Sequence, residues 1–150
     1  MKLLKTLFIA FLGMMMLQTP AFADDDERIQ IHELPIRAQT ILRHNFGHLS
    51  IDKAKMEKDD GKTKYEVKFT NGSSIEFNGR GEWKKIKCKK MGVPARLVPM
   101  PILNHVRYKW PHKDVRIMKI ERKHQKYEVE LSNDKELKFN QNFKIIDIDD

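Results

Sequence analysis

The stretch that decides the fold reads Tyr65-Glu66-Val67-Lys68-Phe69-Thr70-Asn71-Gly72-Ser73-Ser74-Ile75-Glu76-Phe77-Asn78. It returns 62 positions later as Tyr127-Glu128-Val129-Glu130-Leu131-Ser132-Asn133-Asp134-Lys135-Glu136-Leu137-Lys138-Phe139-Asn140. A repeat of this length indicates one duplicated supersecondary unit. Because such a unit cannot bury its apolar face alone, we expect the two copies to share a core.

Apolar periodicity predicts a helix and then four strands in each copy. A spacing of three and four residues, typical of an amphipathic helix, starts at Leu34-Pro35 and ends at Gly47, and a second starts at Val98-Pro99 and ends at Trp110. Alternating apolar and charged residues, typical of strands buried on one side, follow each helix. The sequence therefore predicts an α+β fold, a duplicated helix plus four-stranded antiparallel meander. Both helices would pack on one face of an eight-stranded antiparallel sheet, and the other face would stay in solvent.

The N-terminal residues are typical of a secretory signal. Lys2 and Lys5 precede an apolar run from Leu7 to Leu17, and Ala21-Phe22-Ala23 supplies the small residues of a cleavage site. The run is too short to span a bilayer, although a retained anchor is the alternative. We therefore predict an exported, periplasmic or secreted protein with no membrane span. The predicted segments are a signal peptide (1–23), a flexible leader (24–33) and one domain (34–150) made of repeats 34–87 and 95–150.

The composition is basic and contains a single cysteine. The chain has 29 Lys and Arg against 21 Asp and Glu, a formal charge of +8 that falls to +6 without Lys2 and Lys5. Such an excess is typical of nucleic-acid binding, but export argues against a nucleic-acid partner. It suits either an acidic partner or a soluble surface. Because Cys88 is the only cysteine, no internal disulfide can form. We expect its thiol to be partly buried, and a disulfide to another molecule is the alternative.

Catalytic and metal-binding patterns are weak. No Ser, Thr or Cys lies in a nucleophile motif, so we predict no enzyme and no catalytic residues. His44 and His48 have the spacing of a metal pair but lack a third ligand. Asp147-Ile148-Asp149 leaves a loose calcium site open, although no calcium-binding loop is present. We therefore predict neither a metal site nor a cofactor, with calcium as the alternative.

Several short motifs resemble a known family. They are Leu34-Pro35 at a helix start, Tyr65-Glu66-Val67, Asn71-Gly72 ahead of Ile75-Glu76-Phe77, Gly81-Glu82-Trp83, and Gly92-Val93-Pro94 followed by Leu97-Val98-Pro99. In this order they are similar to the PepSY-like, beta-lactamase-inhibitor-like periplasmic proteins. The resemblance implies a duplicated helix-plus-four-strand fold, export and no known enzymatic activity. It also implies that calcium regulation occurs in some members.

The open face of the sheet is the predicted site. Its partner-binding residues would be Glu66, Lys68, Glu76, Lys84, Glu128, Glu130 and Lys138. A broad charged surface suits a protein rather than a small molecule. We therefore predict a non-enzymatic exported binding module, inhibitor-like or regulatory, that engages a protein. The alternative is a periplasmic sensor or carrier of a cation, such as calcium, or of a small envelope ligand.

Overall fold

The computed structural model describes residues 26–149. The predicted signal peptide, the first two leader residues and Asp150 lie outside this range. Nine strands pair antiparallel in chain order to form one open sheet. The elements are β1 Asp26–Ile29, α1 Ile36–Phe46, β2 Ile51–Asp59, β3 Lys62–Phe69, β4 Ser74–Asn78, β5 Trp83–Lys87, α2 Met100–Lys109, β6 Ile117–Lys123, β7 Lys126–Leu131, β8 Glu136–Asn140 and β9 Ile145–Asp149.

The prediction of eight strands was wrong, because the ninth lies where a flexible leader was expected. Asp26–Ile29 forms the edge strand β1, and a 3-10 turn follows at Ile31–Glu33. Ile29 pairs with Ala54 on β2 and is only 8% exposed. Lys55 also binds the Asp26 carboxylate at 2.8 Å. An acidic segment with a single buried residue gives no strand pattern by itself, so its order comes from pairing with β2.

An apolar row crosses the whole sheet and forms its covered face. Residues that pair directly across strands lie on the same face. The row consists of Ile29, Ala54, Val67, Ile75, Ile86, Ile120, Val129, Leu137 and Ile148. All of these except Ile148, at the β9 edge, are buried. The row therefore runs through both repeats as one core.

Both helices pack on this apolar face. The Phe46 ring of α1 stacks on Phe69 of β3, with 5.4 Å between centroids. The His105 ring of α2 meets Phe139 of β8 edge-on at 5.6 Å. Phe69 and Phe139 lie two residues along their strands from Val67 and Leu137, on the same side. The opposite face of the sheet therefore has neither helix on it.

The repeats join where β5 pairs with β6. Ile86 and Ile120 face each other there, and both are fully buried. The connecting segment returns along β6, because the backbone N–H groups of Cys88 and Val93 donate to Met118 and Ile117 at 2.9 and 2.7 Å. The junction is therefore part of the core and of the hydrogen-bonded sheet.

Four bulges set the register, two in each repeat. Asp52 in β2 and Met118 in β6 are extra residues between paired positions, and so are Lys84 in β5 and Ile146 in β9. A bulge places two residues of one strand opposite one residue of its neighbour, which shifts the residues that follow. The bulges at Lys84 and Ile146 lie between a turn and the charged positions, so they decide which charged side chains face each other across β4–β5 and β8–β9.

Candidate functional site

Charged residues form a row across the face that carries no helix. This central row contains one residue from each strand: Arg28, Lys55, Glu66, Glu76, Lys85, Glu121, Glu128, Lys138 and Asp147. Each member is the sequence neighbour of a residue in the apolar row, so strand alternation turns it to the other side. The predicted alternation of the strands thus produces a continuous ionic surface.

The central row is largely neutralised by its own ion pairs. The Lys85 ammonium lies between Glu76 and Glu121, at 3.3 and 3.9 Å, and so bridges the two repeats. Lys138 binds Asp149 at 2.9 Å and Asp147 at 3.2 Å, and these hydrogen bonds raise the pKa of Lys138. A partner would therefore meet a row in which every member except Arg28 has a counter-charge among residues 26–149.

Glu128 has the most strongly shifted carboxyl group of the face. Lys123 donates to it at 2.6 Å and Lys126 at 2.9 Å. These two hydrogen bonds, with Lys123 the larger cause, lower the pKa of Glu128 from 4.5 to about 2. The carboxylate also separates two lysines that face each other directly across the β6–β7 hairpin. Its charge is therefore a structural element of the second repeat.

A second row on the same face has its charges separated by sign. The lysine row consists of Lys53, Lys68, Ser74, Lys87 and Lys119 on β2 to β6. It continues on β7 to β9 as an acidic row of Glu130, Glu136 and Asp149. Positive charge thus lies over the first repeat and the junction, and negative charge lies over the end of the second repeat.

Like charges face each other directly within the lysine row. Lys53 pairs with Lys68, and Lys87 pairs with Lys119. Lys68 has Glu66 at 3.2 Å, and Lys119 has Glu130 at 3.0 Å. Within residues 26–149, neither Lys53 nor Lys87 makes an ion pair. Directly opposed like charges destabilise a sheet, and in this row two of the four lysines have no carboxylate paired with them in the described chain to offset that cost.

The structure places the sequence-predicted residues on three parts of the face. Glu66, Glu76, Glu128 and Lys138 belong to the central row, and Lys68 and Glu130 belong to the lysine and acidic rows. Lys84 is the exposed extra residue of the β5 bulge. Their role in binding stays a prediction. Sequence reasoning missed Lys53, Glu121 and Lys119. It found Lys85 and Lys87 only as part of the dense basic stretch 84–90, with a solvated strand end as the first interpretation and docking to an acidic surface as the alternative. Alternation marks each of them as a polar position, but the sequence does not give their partners.

Two open depressions adjoin the lysine row. The first, about 560 Å³, has Lys68 and Lys87 on its walls and the hydroxyl residues Thr70 and Ser74 in its lining. The second, about 370 Å³, lies on the other side of β5 and includes Lys87, Lys119 and Arg116. Lys87 belongs to both. A third depression of about 270 Å³ is mainly apolar and lies near Phe46, Leu49 and Met91.

The side chains with nucleophilic or metal-binding chemistry do not form a centre. Across residues 26–149 no three His, Cys, Asp or Glu side chains are grouped around a common point, and this includes His44 and His48. Cys88 is buried, and burial raises the pKa of its thiol to about 11. The Ser73 hydroxyl accepts a hydrogen bond from the Lys89 N–H at 2.9 Å. The Cys88 and Ser73 side chains therefore belong to the local structure, whereas His44 and His48 are exposed. Neither helix of the described chain has the length and hydropathy needed to cross a bilayer.

Two helices on one side of an open nine-stranded antiparallel sheet, with an ionic surface on the other side, define an α+β protein whose main feature is a free sheet face. Residues 63–147 match the family described as "Putative beta-lactamase-inhibitor-like, PepSY-like". The chain belongs to this PepSY-like family. A search of curated proteins found no match.

Solved structures of similar proteins cover nearly the whole described chain. A "putative periplasmic protein" of the DUF2874 family from Bacteroides vulgatus is 43% identical, with a TM-score of 0.81 over 85% of this chain and 99% of that one. A "putative calcium-regulated periplasmic protein" from Bacteroides thetaiotaomicron is 42% identical, with a TM-score of 0.79 over 85% and 99%. A second Bacteroides vulgatus protein, described as of unknown function, is 31% identical, with a TM-score of 0.75 over 83% and 99%.

Proposed function

We propose that this chain is a non-enzymatic, exported binding module that holds a protein partner on the open face of its sheet. The observation that carries the proposal is the central row, in which every strand of the sheet contributes a charged residue. Its family description is inhibitor-like, and an inhibitory or regulatory role is consistent with a binding surface that lacks a catalytic centre.

The dimensions of the face favour a protein over a small molecule. Nine strands about 4.8 Å apart give a surface roughly 38 Å wide. A stable protein interface takes about 800 Å² from each partner, which a surface of this width supplies. Small-molecule sites are enclosed and mostly apolar, whereas the two depressions on this face are open, and charged residues of both signs line them together with hydroxyl and apolar groups.

The proposed location is the periplasm. All three similar solved proteins are described as putative periplasmic proteins, at 43%, 42% and 31% identity, and the first 23 residues of this chain have the pattern of a signal peptide. Fractionation of a Gram-negative host that expresses the full chain tests this proposal. We expect the protein in the periplasmic fraction with Asp24 as its first residue. Retention in the cytoplasm at full length would refute export.

Site-specific photo-crosslinking in envelope preparations tests the binding face. A photoreactive residue at Lys84 or Glu130 reports on the open face, and one at Tyr108 on α2, which is 88% exposed, is the matched control on the helix side. We expect one discrete crosslinked protein from the two sheet positions and none from Tyr108. Equal crosslinking from Tyr108, or the absence of crosslinks at both sheet positions, would contradict the proposal.

Calcium sensing is the second candidate function, favoured by the description of the Bacteroides thetaiotaomicron relative. The paired carboxylates of Asp147 and Asp149 are the candidate ligands, and both already bind the Lys138 ammonium, at 3.2 and 2.9 Å. A calcium ion would have to displace this ammonium, and two carboxylates supply only part of its six to eight oxygens. Calorimetry on the metal-stripped protein decides the matter. Measurable heat of calcium binding that increases in Lys138→Met would favour calcium sensing. No heat of binding and an unchanged Tm would exclude this second candidate function.

A further inference from the structure

We infer that the partner presents an acidic protein segment, which lies across the lysine row with its carboxylates over Lys53, Lys68 and Lys87. This inference rests on the proposed function and names the chemistry of the partner. It also restricts the binding site to the first repeat and the junction, whereas the proposed function alone allows a partner anywhere on the sheet face.

The lysine row lacks a complete set of counter-charges of its own. In two places a lysine lies directly opposite another lysine on the neighbouring strand. Lys53 and Lys87, one from each of these pairs, make no ion pair among residues 26–149. The central row, a few ångströms away, also has directly opposed carboxylates, Glu66 with Glu76 and Glu121 with Glu128, but each of them binds a lysine. A protein that neutralises one row and leaves the next row repulsive keeps the second row ready for an external counter-charge.

The two repeats differ in charge at the positions of this row. Lys68 corresponds to Glu130, Ser74 to Glu136 and Lys87 to Asp149, each 62 positions apart. The apolar positions between them keep their character, since Val67 corresponds to Val129 and Phe77 to Phe139. The scaffold is therefore duplicated, whereas three positions of this row change from lysine or serine in the first copy to acidic residues in the second; the β2 and β6 position is lysine in both, Lys53 and Lys119. An acidic segment would be attracted to the first repeat and repelled by the end of the second, which fixes its position.

The dimensions of the row fit an extended peptide. From β2 to β6 the row spans four strand spacings, roughly 19 Å. In an extended chain, alternate residues lie about 7 Å apart, so three carboxylates on one side cover most of that distance. The depression between Lys68 and Lys87 is also lined by Thr70 and Ser74, whose hydroxyl groups are suitable donors to a carboxylate, and by one carboxylate of its own, Asp52.

A line of lysines is less suited to a phosphate group. Phosphate is best bound where several donors converge on one point or where an arginine fork binds two oxygens. The row contains no arginine, and the nearby Arg116 already donates to the Lys90 carbonyl at 2.5 Å. The observations therefore favour a segment with several separate carboxylates over a lipid headgroup.

Fluorescence anisotropy with labelled octaglutamate tests the inference. The test variant carries Lys53→Gln, Lys68→Gln and Lys87→Gln, and we expect it to bind octaglutamate at least about tenfold more weakly than the parent protein. Because the variant also removes opposed like charges, we expect it to unfold at a urea concentration no lower than the parent does. This second measurement shows that weaker binding does not come from misfolding.

A control variant separates a defined site from general positive charge. It carries Lys58→Gln, Lys62→Gln and Lys113→Gln, three exposed lysines outside the row, so that its net charge equals that of the test variant. We expect its affinity for octaglutamate to stay within about twofold of the parent at moderate salt. Equal weakening in both variants would overturn the inference, because binding would then follow net charge alone.

Two rival occupants give distinct results. Phosphatidylglycerol vesicles that bind through the row more tightly than octaglutamate would overturn the inference in favour of an anionic membrane. Dimerisation abolished by the test variant and equally by Glu130→Gln with Asp149→Asn would overturn it in favour of a second copy. If octaglutamate does not bind while Lys84 and Glu130 still crosslink a partner, the inference fails and the proposed function stands.

Discussion

The guanidinium carbon of Arg122 on β6 lies 3.7 Å from the centroid of the Trp83 ring on β5. The contact joins the two repeats on the covered side of the sheet, where Trp83 is buried and the Arg122 Nε has no hydrogen-bond partner. Burial lowers the pKa of Arg122. A cation over an aromatic face contributes roughly 0.5–2 kcal/mol to the free energy of unfolding. The aliphatic part of the Arg122 side chain adds apolar contact.

Replacement of Arg122 separates these contributions. We expect Arg122→Ala to reduce the free energy of unfolding by about 1–2 kcal/mol and Arg122→Met to reduce it less. Methionine keeps the packing and removes the unsatisfied Nε. The first repeat already has Met56 in this place, since Met56 pairs with Tyr65 as Arg122 pairs with Tyr127. Urea unfolding at neutral pH measures both variants. Equal losses of stability in the two variants would show that the cation itself dominates, because both variants lack it and only methionine keeps the packing.

Gly81 permits the closest approach between a turn of the sheet and α1. A Cβ atom at this position would lie 2.9 Å from the backbone nitrogen of Ala38 and 2.9 Å from the Cβ of Pro35, and the residue has a φ of +79°. The turn between β4 and β5 therefore fixes the start of α1 over the first repeat. Neither contact is with the flexible end of a long side chain.

Alanine substitutions separate the cost of this contact from the cost of the backbone angle. Gly61 also has a positive φ, +72°, but no atom lies within 4 Å of its added Cβ. We expect Gly61→Ala to cost about 1 kcal/mol and Gly81→Ala about 2–4 kcal/mol. Paired urea titrations measure the difference. Equal costs would mean that α1 moves away from the turn without loss of stability.

Cys88 is expected to react slowly in the native protein. The residue is 6% exposed, and burial raises the pKa of its thiol from 9.0 to about 11. A rise of two units lowers the thiolate population at pH 8 by about a hundredfold, and the thiolate is the reactive form. We expect labelling with a disulfide reagent to be at least that much slower in buffer than in denaturing urea. Rapid native labelling, or a disulfide-linked dimer on a non-reducing gel, would disprove this.

The sequence was sufficient for the α+β class and for the polar positions of the face. Both follow from local periodicity, which can be read directly from alternating apolar and charged residues such as Tyr65-Glu66-Val67-Lys68. The edge strand β1 was missed because it is ordered by contacts with β2, above all the burial of Ile29 and the ion pair between Asp26 and Lys55. A short acidic segment contains no information about such a partner.

The lysine row could not be predicted for a related reason. Ser74 faces Lys87, and Glu136 faces Asp149, only because Lys84 and Ile146 are bulges that shift the register by one residue beyond the β4–β5 and β8–β9 turns. Without these two bulges Lys87 and Asp149 would have different neighbours. The offset between the repeats is also not constant. It is 62 positions from β3 onwards, but Lys53 on β2 corresponds to Lys119 on β6, which is 66 positions later. The β6–β7 hairpin is four residues shorter than its counterpart, and register of this kind is a property of the folded sheet.

Glu128 is expected to make stability depend on pH in acid. Its pKa is about 2 in the folded protein, chiefly through the Lys123 hydrogen bond and then that of Lys126, against 4.5 for the ordinary group. A lowered pKa stabilises the folded protein above pH 4.5, and this contribution disappears as the pH falls towards 2. Because the two lysine side chains are 41% and 39% exposed, solvent reduces its size to about 1 kcal/mol or less.

Glu128→Gln isolates this contribution. At pH 7 the variant leaves Lys123 and Lys126 opposed without an anion between them, so we expect it to unfold at a lower urea concentration than the parent protein. The difference should shrink at pH 4 and be smaller again at pH 3, as the unfolded parent chain takes up a proton that the folded parent does not. Glu66→Gln is the matched control, since Glu66 holds the same position in the first repeat and binds a single lysine at 3.2 Å. A constant difference across pH 7 to 3 would show that Glu128 acts through packing rather than charge.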